Sequence, residues 1–278
     1  MMSPEATNSF RQRYGRWAVV AGASEGVGAC AADELAANGL DLVLTARNRA
    51  LLEAVAVGVR ERHGVEATTL ALDLTAPDAA DQILAVTDGL EVGLLLYCPG
   101  AVHNADLFLE QPLELPMRMI QLNCVVPVAL VHALAPAMRE RGRGGIVRVG
   151  SMGCFAGSPR VVAYSAAKAF QVNFVEGLWA ELHDDGVDVF SAVIGSTTTP
   201  ARARTLGVAV DEGLDMSSEE VAHEIIENIG NGPTRVIGKL TSGVGPLAEP
   251  WSDFRRIAVA TMINSMQGFT SRTTPGRE

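Results

Sequence analysis

Lysine is nearly missing from this 278-residue chain: among 22 basic residues only Lys168 and Lys239 are lysines. Acidic residues number 32, which leaves a formal charge of −10. So acidic a surface repels phosphate backbones and anionic lipid, so neither nucleic acid nor membrane is an expected partner. The four cysteines (Cys30, Cys98, Cys124, Cys154) stand singly, with no C-x-x-C pair and no histidine at ligand spacing. They read as small buried thiols in a reducing compartment, and no metal site is expected. The opening MMSPEATNSFRQRYGRW has no apolar segment of a secretory signal. The longest uncharged run, Ile120 to Met138, contains Asn123, Pro127, His132 and Pro136, which suit a buried helix better than a membrane span. A cytoplasmic protein is expected. Disorder is excluded by the 48% hydrophobic content, and the length suits one large domain or two small ones.

What is present is an alternation of short apolar runs with helical ones. WAVVAGA (17–23), LDLVLTA (40–46), ATTLALDL (67–74), VGLLLYC (92–98), GIVRVGS (145–151) and VDVFSAVI (187–194) read as buried strands. Between them lie an Ala-rich helix ending at Asn38 with Gly39 as its stop, a helix from Leu51 to His63, and longer ones from Leu113 to Arg139 and Val162 to Asp184. Continuous apolar strands alternating with helices imply an α/β protein: a single Rossmann-type, doubly wound parallel sheet of about seven strands, with helices on both faces. Its ligand would sit beyond the carboxyl ends of the strands. Residues 1–15 read as a flexible polar arm and 16–278 as one domain. Within it, 197–220 suits a substrate lid, and 250–270 a C-terminal helix whose Met262, Met266 and Phe269 line an apolar pocket or else belong to the core or a subunit interface.

Between the first strand and its helix lies AGASEGVG, with Gly22, Gly26 and Gly28. A tight turn, a close backbone approach and a helix N-terminus coincide there, the requirements of a pyrophosphate cradle. The same residues, Gly22-Ala23-Ser24-Glu25-Gly26, match the G-x-S-x-G elbow of serine hydrolases with Ser24 as nucleophile. That alternative needs a downstream base, and the last histidine, His223, lies in the acidic segment SSEEVAHEIIENIG. At the tip of the second strand stands Ala46 followed by Arg47, where NAD-binding sheets place an acidic residue on the ribose hydroxyl. Arg47 is suited to a 2′-phosphate, which favours NADP(H) over NAD(H). Asp73 either accepts a hydrogen bond from the adenine amino group or caps the following turn.

Tyr164 and Lys168 stand four apart in AYSAAK, on one face of a helix, so phenol and ammonium reach the same ligand. With three tyrosines and two lysines in the chain, coincidence at that spacing is rare. A phenol with a pKa of about 10 is a sluggish base at neutral pH, and a neighbouring cation stabilises its phenolate.

AGASEGVG, Ser151 thirteen residues before Tyr164, and Lys168 four after it resemble the short-chain dehydrogenase/reductase family, over roughly Arg16 to Pro200. The resemblance implies Tyr164 as general acid/base, Lys168 as the nicotinamide-ribose ligand that lowers the tyrosine pKa, and Ser151 as the group polarising a substrate carbonyl. It also implies that the main-chain carbonyl of Asn123 holds a relay water. Pro127 supplies a physical reason, since it has no N–H for that carbonyl; a kink and a free oxygen are expected there. The alternative is a proline-kinked core helix whose asparagine bonds locally.

Expected cofactor contacts are Gly22, Ser24, Gly26, Val27 and Gly28 in the loop, then Arg47, Asp73 and Leu74 at strand ends. Gly100 and Thr199 join them, together with Tyr164 and Lys168. Ile194 replaces the proline of the family's Pro-Gly after strand six, and Tyr97-Cys98-Pro99-Gly100 replaces Asn-Asn-Ala-Gly, a motif that braces the sheet near the cofactor. The resulting expectation is an NADP(H)-dependent oxidoreductase, with NAD(H) as the alternative cofactor, interconverting a carbonyl and a secondary alcohol. The segment YSAAKAFQVNFVEGLWAELHDDGVDV resembles reductases of steroids and long-chain 3-oxoacyl groups, which implies a small hydrophobic substrate. His103 either contacts that substrate or is an exposed loop residue. By family analogy the chain forms a homodimer or homotetramer through its two long helices. A non-catalytic NAD(P)-binding sensor is the rival that shares the glycine loop.

Overall fold

The computed structural model describes residues 4–100, 106–201, 203, 216–238, 251, 253–255, 257 and 259–261. Seven strands form one parallel sheet: β1 (Trp17–Ala21), β2 (Asp41–Ala46), β3 (Ala67–Ala71), β4 (Val92–Tyr97), β5 (Gly144–Val149), β6 (Val187–Ile194) and β7 (Thr234–Ile237). Their order is β3-β2-β1-β4-β5-β6-β7. The chain winds outward from β1 to β3, then returns to β4 on the other side of β1. The reversal leaves a crevice above the carboxyl ends of β1 and β4, the place where open sheets of this kind bind ligands.

Helices cover both faces: α1 (Pro4–Tyr14), α2 (Gly26–Ala37), α3 (Arg49–His63), α4 (Ala79–Thr87), α5 (Glu114–Ile120), α6 (Val126–Arg141), α7 (Val162–Leu182) and α8 (Ser218–Glu227). The strands alternate faithfully. Val20, Leu44, Leu96 and Val149 bury against α2, α3 and α8, while Val19, Val43, Leu95 and Ile146 bury against α4, α6 and α7. Each such side chain contributes roughly 1.5–3 kcal/mol of apolar burial. Between α5 and α6 the helix passes through one π turn, Gln121–Val125. The composite segment Glu114–Arg141 is long and apolar enough to cross a membrane by composition. Here it packs along the sheet, with Leu122, Leu130, Val131 and Met138 in the core.

The N-terminal segment is a correction to the sequence reading, because α1 is a docked helix and not a loose arm. Phe10 and Tyr14, four apart, present one aromatic face (ring centroids 4.6 Å apart), and Tyr14 is buried in the core. Its hydroxyl donates to Asp188 Oδ2 at 2.8 Å, and Arg13 forks onto the same carboxylate at 2.6 and 2.7 Å. Two further elements had no strong sequence signal, α4 and the short β7. α8 begins with a capping box between Ser217 and Glu220. Of the expected lid, 202 and 204–215 lie outside the described residues. So do His103, Met262, Met266 and Phe269.

Candidate active site

The glycine loop is built by close approaches that only hydrogen permits. Gly22 has φ +85°, and a Cβ there would lie 2.7 Å from the Cys98 carbonyl oxygen; a Cβ on Gly28 would lie 2.1 Å from the oxygen of Gly22. The loop is thus pressed onto the end of β4 and the first turn of α2 onto the loop. Gly26 abuts Thr199, its would-be Cβ 3.3 Å from Thr199 Cγ2, which brings the loop that follows β6 to the cradle. Glu25 occupies the N-cap of α2 without a side-chain cap, and the first turn carries no acidic residue, so the helix end favours an anion. The loop therefore fits a dinucleotide pyrophosphate.

Along the same edge, Arg47 is exposed just past β2. Asp73 caps its own turn, accepting from Thr75 N and Oγ1 at 2.9 Å, and pairs with Arg118 at 3.1 Å. Burial pushes its carboxyl up, but the Thr75 bonds and the charges of Arg118 and Arg47 outweigh this and hold it below the usual range. Val27 and Leu74 turn buried side chains to the core and offer a ligand only their backbones. Gly100 is exposed at the mouth of the crevice, and Ser24 is half-buried on the loop.

Ser151 follows β5, and Tyr164 and Lys168 occupy successive turns of α7. The Ser151 and Tyr164 hydroxyls are hydrogen-bonded, and Ser151 Oγ also accepts from Gly153 N at 3.1 Å. Gly153 makes room for the phenol, since a Cβ there would meet Tyr164 Cε1 at 3.0 Å. Burial raises the Tyr164 pKa, and the bond from Ser151 pulls it back. Lys168 is buried, its Nζ 5.6 Å from the Tyr164 ring centroid and 3.4 Å from the Val149 carbonyl oxygen. Burial, reinforced by the charge of Arg148, brings the lysine down to about 8.

The Asn123 carbonyl is not free, contrary to expectation. The π turn explains what happens there. Val126 N–H reaches back five residues to Gln121, and Pro127 has no N–H, so Leu122 and Asn123 both lose their ordinary intrahelical donors. Two adjacent strand residues replace them. Tyr97 of β4 donates its hydroxyl to Leu122 O at 2.6 Å, and Arg148 of β5, its register partner, donates Nη2 to Asn123 O at 2.9 Å. The guanidinium lies over the Tyr97 ring, 4.4 Å from its centroid. Gln171 of α7 holds the Asn123 side chain at 2.8 Å and reaches the same carbonyl at 3.4 Å. Tyr97 and Arg148 thus tie the helix to the sheet at the site where the Asn-Asn-Ala-Gly motif is missing. The sequence reading missed Arg148 and Gln171. The signal was an arginine inside the otherwise apolar strand GIVRVGS.

A model of the short chain dehydrogenase family matches residues 16–206. The chain belongs to the short-chain dehydrogenase/reductase family. It is similar to the 7beta-hydroxysteroid dehydrogenase of Collinsella aerofaciens, at 30% identity over 236 residues covering 83% of this chain and 89% of that protein. It is also similar to the inactive hydroxysteroid dehydrogenase-like protein 1 of Homo sapiens, at 30% over 236 residues, 84% of this chain and 69% of that one. Among solved structures, a short-chain dehydrogenase from Sphingobium yanoikuyae in complex with NADPH superposes with a TM-score of 0.76, at 27% identity, covering 95% of this chain and 98% of that chain. This dehydrogenase is an oxidoreductase of a family that binds NAD(P).

Beside the site the enzyme has a cavity of about 510 Å³ lined by Cys154, Ala156, Pro159, Val162, Ala166 and Ala169, among others. Close to its rim the C-terminal helical residues dock, Trp251 against Phe155 (centroids 4.4 Å apart) and Arg255 onto the buried Glu176. Among the described residues no hydrogen bond joins a histidine to Ser24, as the hydrolase alternative would need. His223 sits on α8 between Glu34 and Glu227, at 3.4 and 3.3 Å, and no described hydrogen bond joins it to Ser24. Cys30, Cys98, Cys124 and Cys154 are free thiols.

Proposed function

We propose that this dehydrogenase interconverts a ketone and a secondary alcohol on a bulky hydrophobic substrate, with NADP(H) as the preferred cofactor. The observation that carries the reading is the Ser151–Tyr164 hydrogen bond with the Lys168 ammonium beside the ring, at the carboxyl edge where the glycine loop opens. When bound, the reduced nicotinamide would supply the hydride. Ser151 would orient the substrate carbonyl toward Tyr164 Oη, which holds the proton that the oxygen gains on reduction and takes it back on oxidation. Lys168 would hold the ribose, and its charge would stabilise the phenolate left behind. The apolar lining of the neighbouring cavity would lower the dielectric on the substrate's side of the phenol.

NADP(H) preference is supported by Arg47 following the non-acidic tip of β2, where a guanidinium would fork onto a 2′-phosphate. A hydrophobic substrate is supported by the apolar cavity and by the hydroxysteroid relative. Self-association is supported by Leu113, Met117, Ile120 and Val125, exposed along the helix of α5 and its π turn, and by Phe170 on α7. The test is NADPH consumption, followed at the nicotinamide absorbance, across a panel of bulky cyclic and steroidal ketones. Turnover of at least one is expected. A protein that binds NADPH and reduces none of them would be a sensor, like the rival reading, and not an enzyme of this class.

A further inference from the structure

Eight residues beyond Lys168 on α7 stands a carboxylate withdrawn from solvent, Glu176, only 5% exposed. Its Oε1 accepts from Thr234 Oγ1 of β7 at 3.0 Å and from Arg255 Nε at 3.0 Å, and its Oε2 pairs with Arg255 Nη2. The same Nη2 donates to Asn173 Oδ1, one turn back on α7. Thr234 brings no charge, so among the described residues Arg255 is the counter-ion of this buried carboxylate. Separating such a pair strands a charge in the interior. The fork therefore holds the C-terminal helical residues to α7 at one fixed place.

Trp251 lies four residues before Arg255, on the same helix face, and the guanidinium sits 5.5 Å from its ring centroid. The indole packs on Phe155, centroids 4.4 Å apart, in a cluster with Met152, Cys154, Ala169 and Val172. Phe155 closes the single helical turn Met152–Cys154 that Ser151 opens. That turn is bound to the serine throughout. Cys154 N–H donates to Ser151 O at 2.9 Å, Phe155 N–H to Met152 O at 3.1 Å, and Gly153 N–H to Ser151 Oγ at 3.1 Å. Beyond the turn the chain has little support, for Ala156 to Arg160 are exposed and a Cβ on Gly157 would meet nothing within 4 Å.

We propose that Arg255 and Trp251 are positioning residues for Ser151. Glu176 fixes Arg255, Arg255 and its helix turn fix Trp251, and Trp251 seats the Ser151–Phe155 turn so that the serine hydroxyl stays against the Tyr164 phenol. This rests on the reading of Ser151 and Tyr164 as the groups that meet the carbonyl. The C-terminal residues thus serve the chemistry without touching it, and a displacement of about 1 Å at such a distance can cost about 10²-fold in rate.

The test is single-turnover reduction with bound NADPH and saturating ketone, so that losses in substrate binding do not count. Trp251→Ala removes the ring and leaves the ion pair in place. Glu176→Gln combined with Arg255→Met releases the helix without stranding a buried charge. Each is expected to slow the step about tenfold or more, with NADPH affinity at the parental value. Trp251→Phe, which keeps a ring on Phe155, is expected to restore most of the rate. In a Ser151→Ala background neither change is expected to cost much further, because no hydroxyl remains to be misplaced; a general loosening of the fold would cost the same in both backgrounds. A Trp251→Ala protein at the parental rate, or equal losses with and without Ser151, would overturn the proposal. Should Trp251→Ala fail to fold, the ion-pair variant decides through the same cycle. Ser151→Ala at the parental rate would instead overturn the reading of Ser151 itself, a result distinct from a slow Ser151→Ala beside an unaffected Trp251→Ala, which would overturn this proposal alone.

Discussion

The hydroxyl of Tyr97 is a single atom whose removal should be felt through the whole domain. It donates to the Leu122 carbonyl at 2.6 Å in a buried setting, and that carbonyl has lost its intrahelical donor to the π turn. Tyr97→Phe deletes this oxygen and leaves the ring under Arg148, so the cation–π contact at 4.4 Å survives. The carbonyl left without a partner costs about 1–3 kcal/mol. Thermal unfolding followed by circular dichroism should register a fall of several degrees, at about 2–4 °C per kcal/mol for a large domain. Pro127→Ala provides the control. It supplies an N–H, which lets Val126 and Ala-substituted 127 close ordinary helical bonds onto Leu122 and Asn123. In that background Tyr97→Phe should cost less, with a coupling of about 1 kcal/mol. Additivity to within about 0.5 kcal/mol, or a Tyr97→Phe protein as stable as the parent, would refute the account of the π turn.

Two other substitutions probe the cofactor crevice. Gly28→Ala places a methyl 2.1 Å from the Gly22 oxygen, a clash of backbone with no side chain to yield. The loop must open, at a cost of about 1–3 kcal/mol or more, and NADPH fluorescence titration should show affinity reduced at least tenfold, whereas unchanged affinity would exclude this loop from the binding site. Arg47→Ala removes the guanidinium proposed for the 2′-phosphate, a charged hydrogen bond worth about 1.5–3 kcal/mol. NADPH affinity should fall roughly 10–100-fold with NADH affinity nearly unmoved; equal losses for both would place Arg47 elsewhere in the binding scheme.

The sheet and its helices were legible because burial on both faces leaves an unbroken apolar signature in each strand, from WAVVA to VDVFSAVI. The glycine loop was legible for a related reason: close backbone approach demands glycine, and Gly22 and Gly28 meet as van der Waals neighbours. The i, i+4 spacing of Tyr164 and Lys168 was legible from helix geometry, whereas the place of Ser151 beside them came only from the family resemblance. What sequence did not reveal depends on partners far apart in the chain. Pro127 announced that a carbonyl would be left without a donor, but nothing local says whether water or a side chain from another strand will serve it. Here Arg148 and Gln171, from β5 and α7, converge on Asn123. The polar composition of 1–15 likewise hid α1, whose docking depends on two aromatic residues and on Asp188, 174 positions from Tyr14.

The central claim is that the Tyr164 phenol handles the proton of the reaction, and single-turnover hydride transfer with bound NADPH and saturating ketone tests it most directly. Tyr164→Phe should slow that step by about 10²–10⁴-fold while NADPH affinity and unfolding temperature stay close to the parent's. Hydride transfer at the parental rate in this variant would contradict the account.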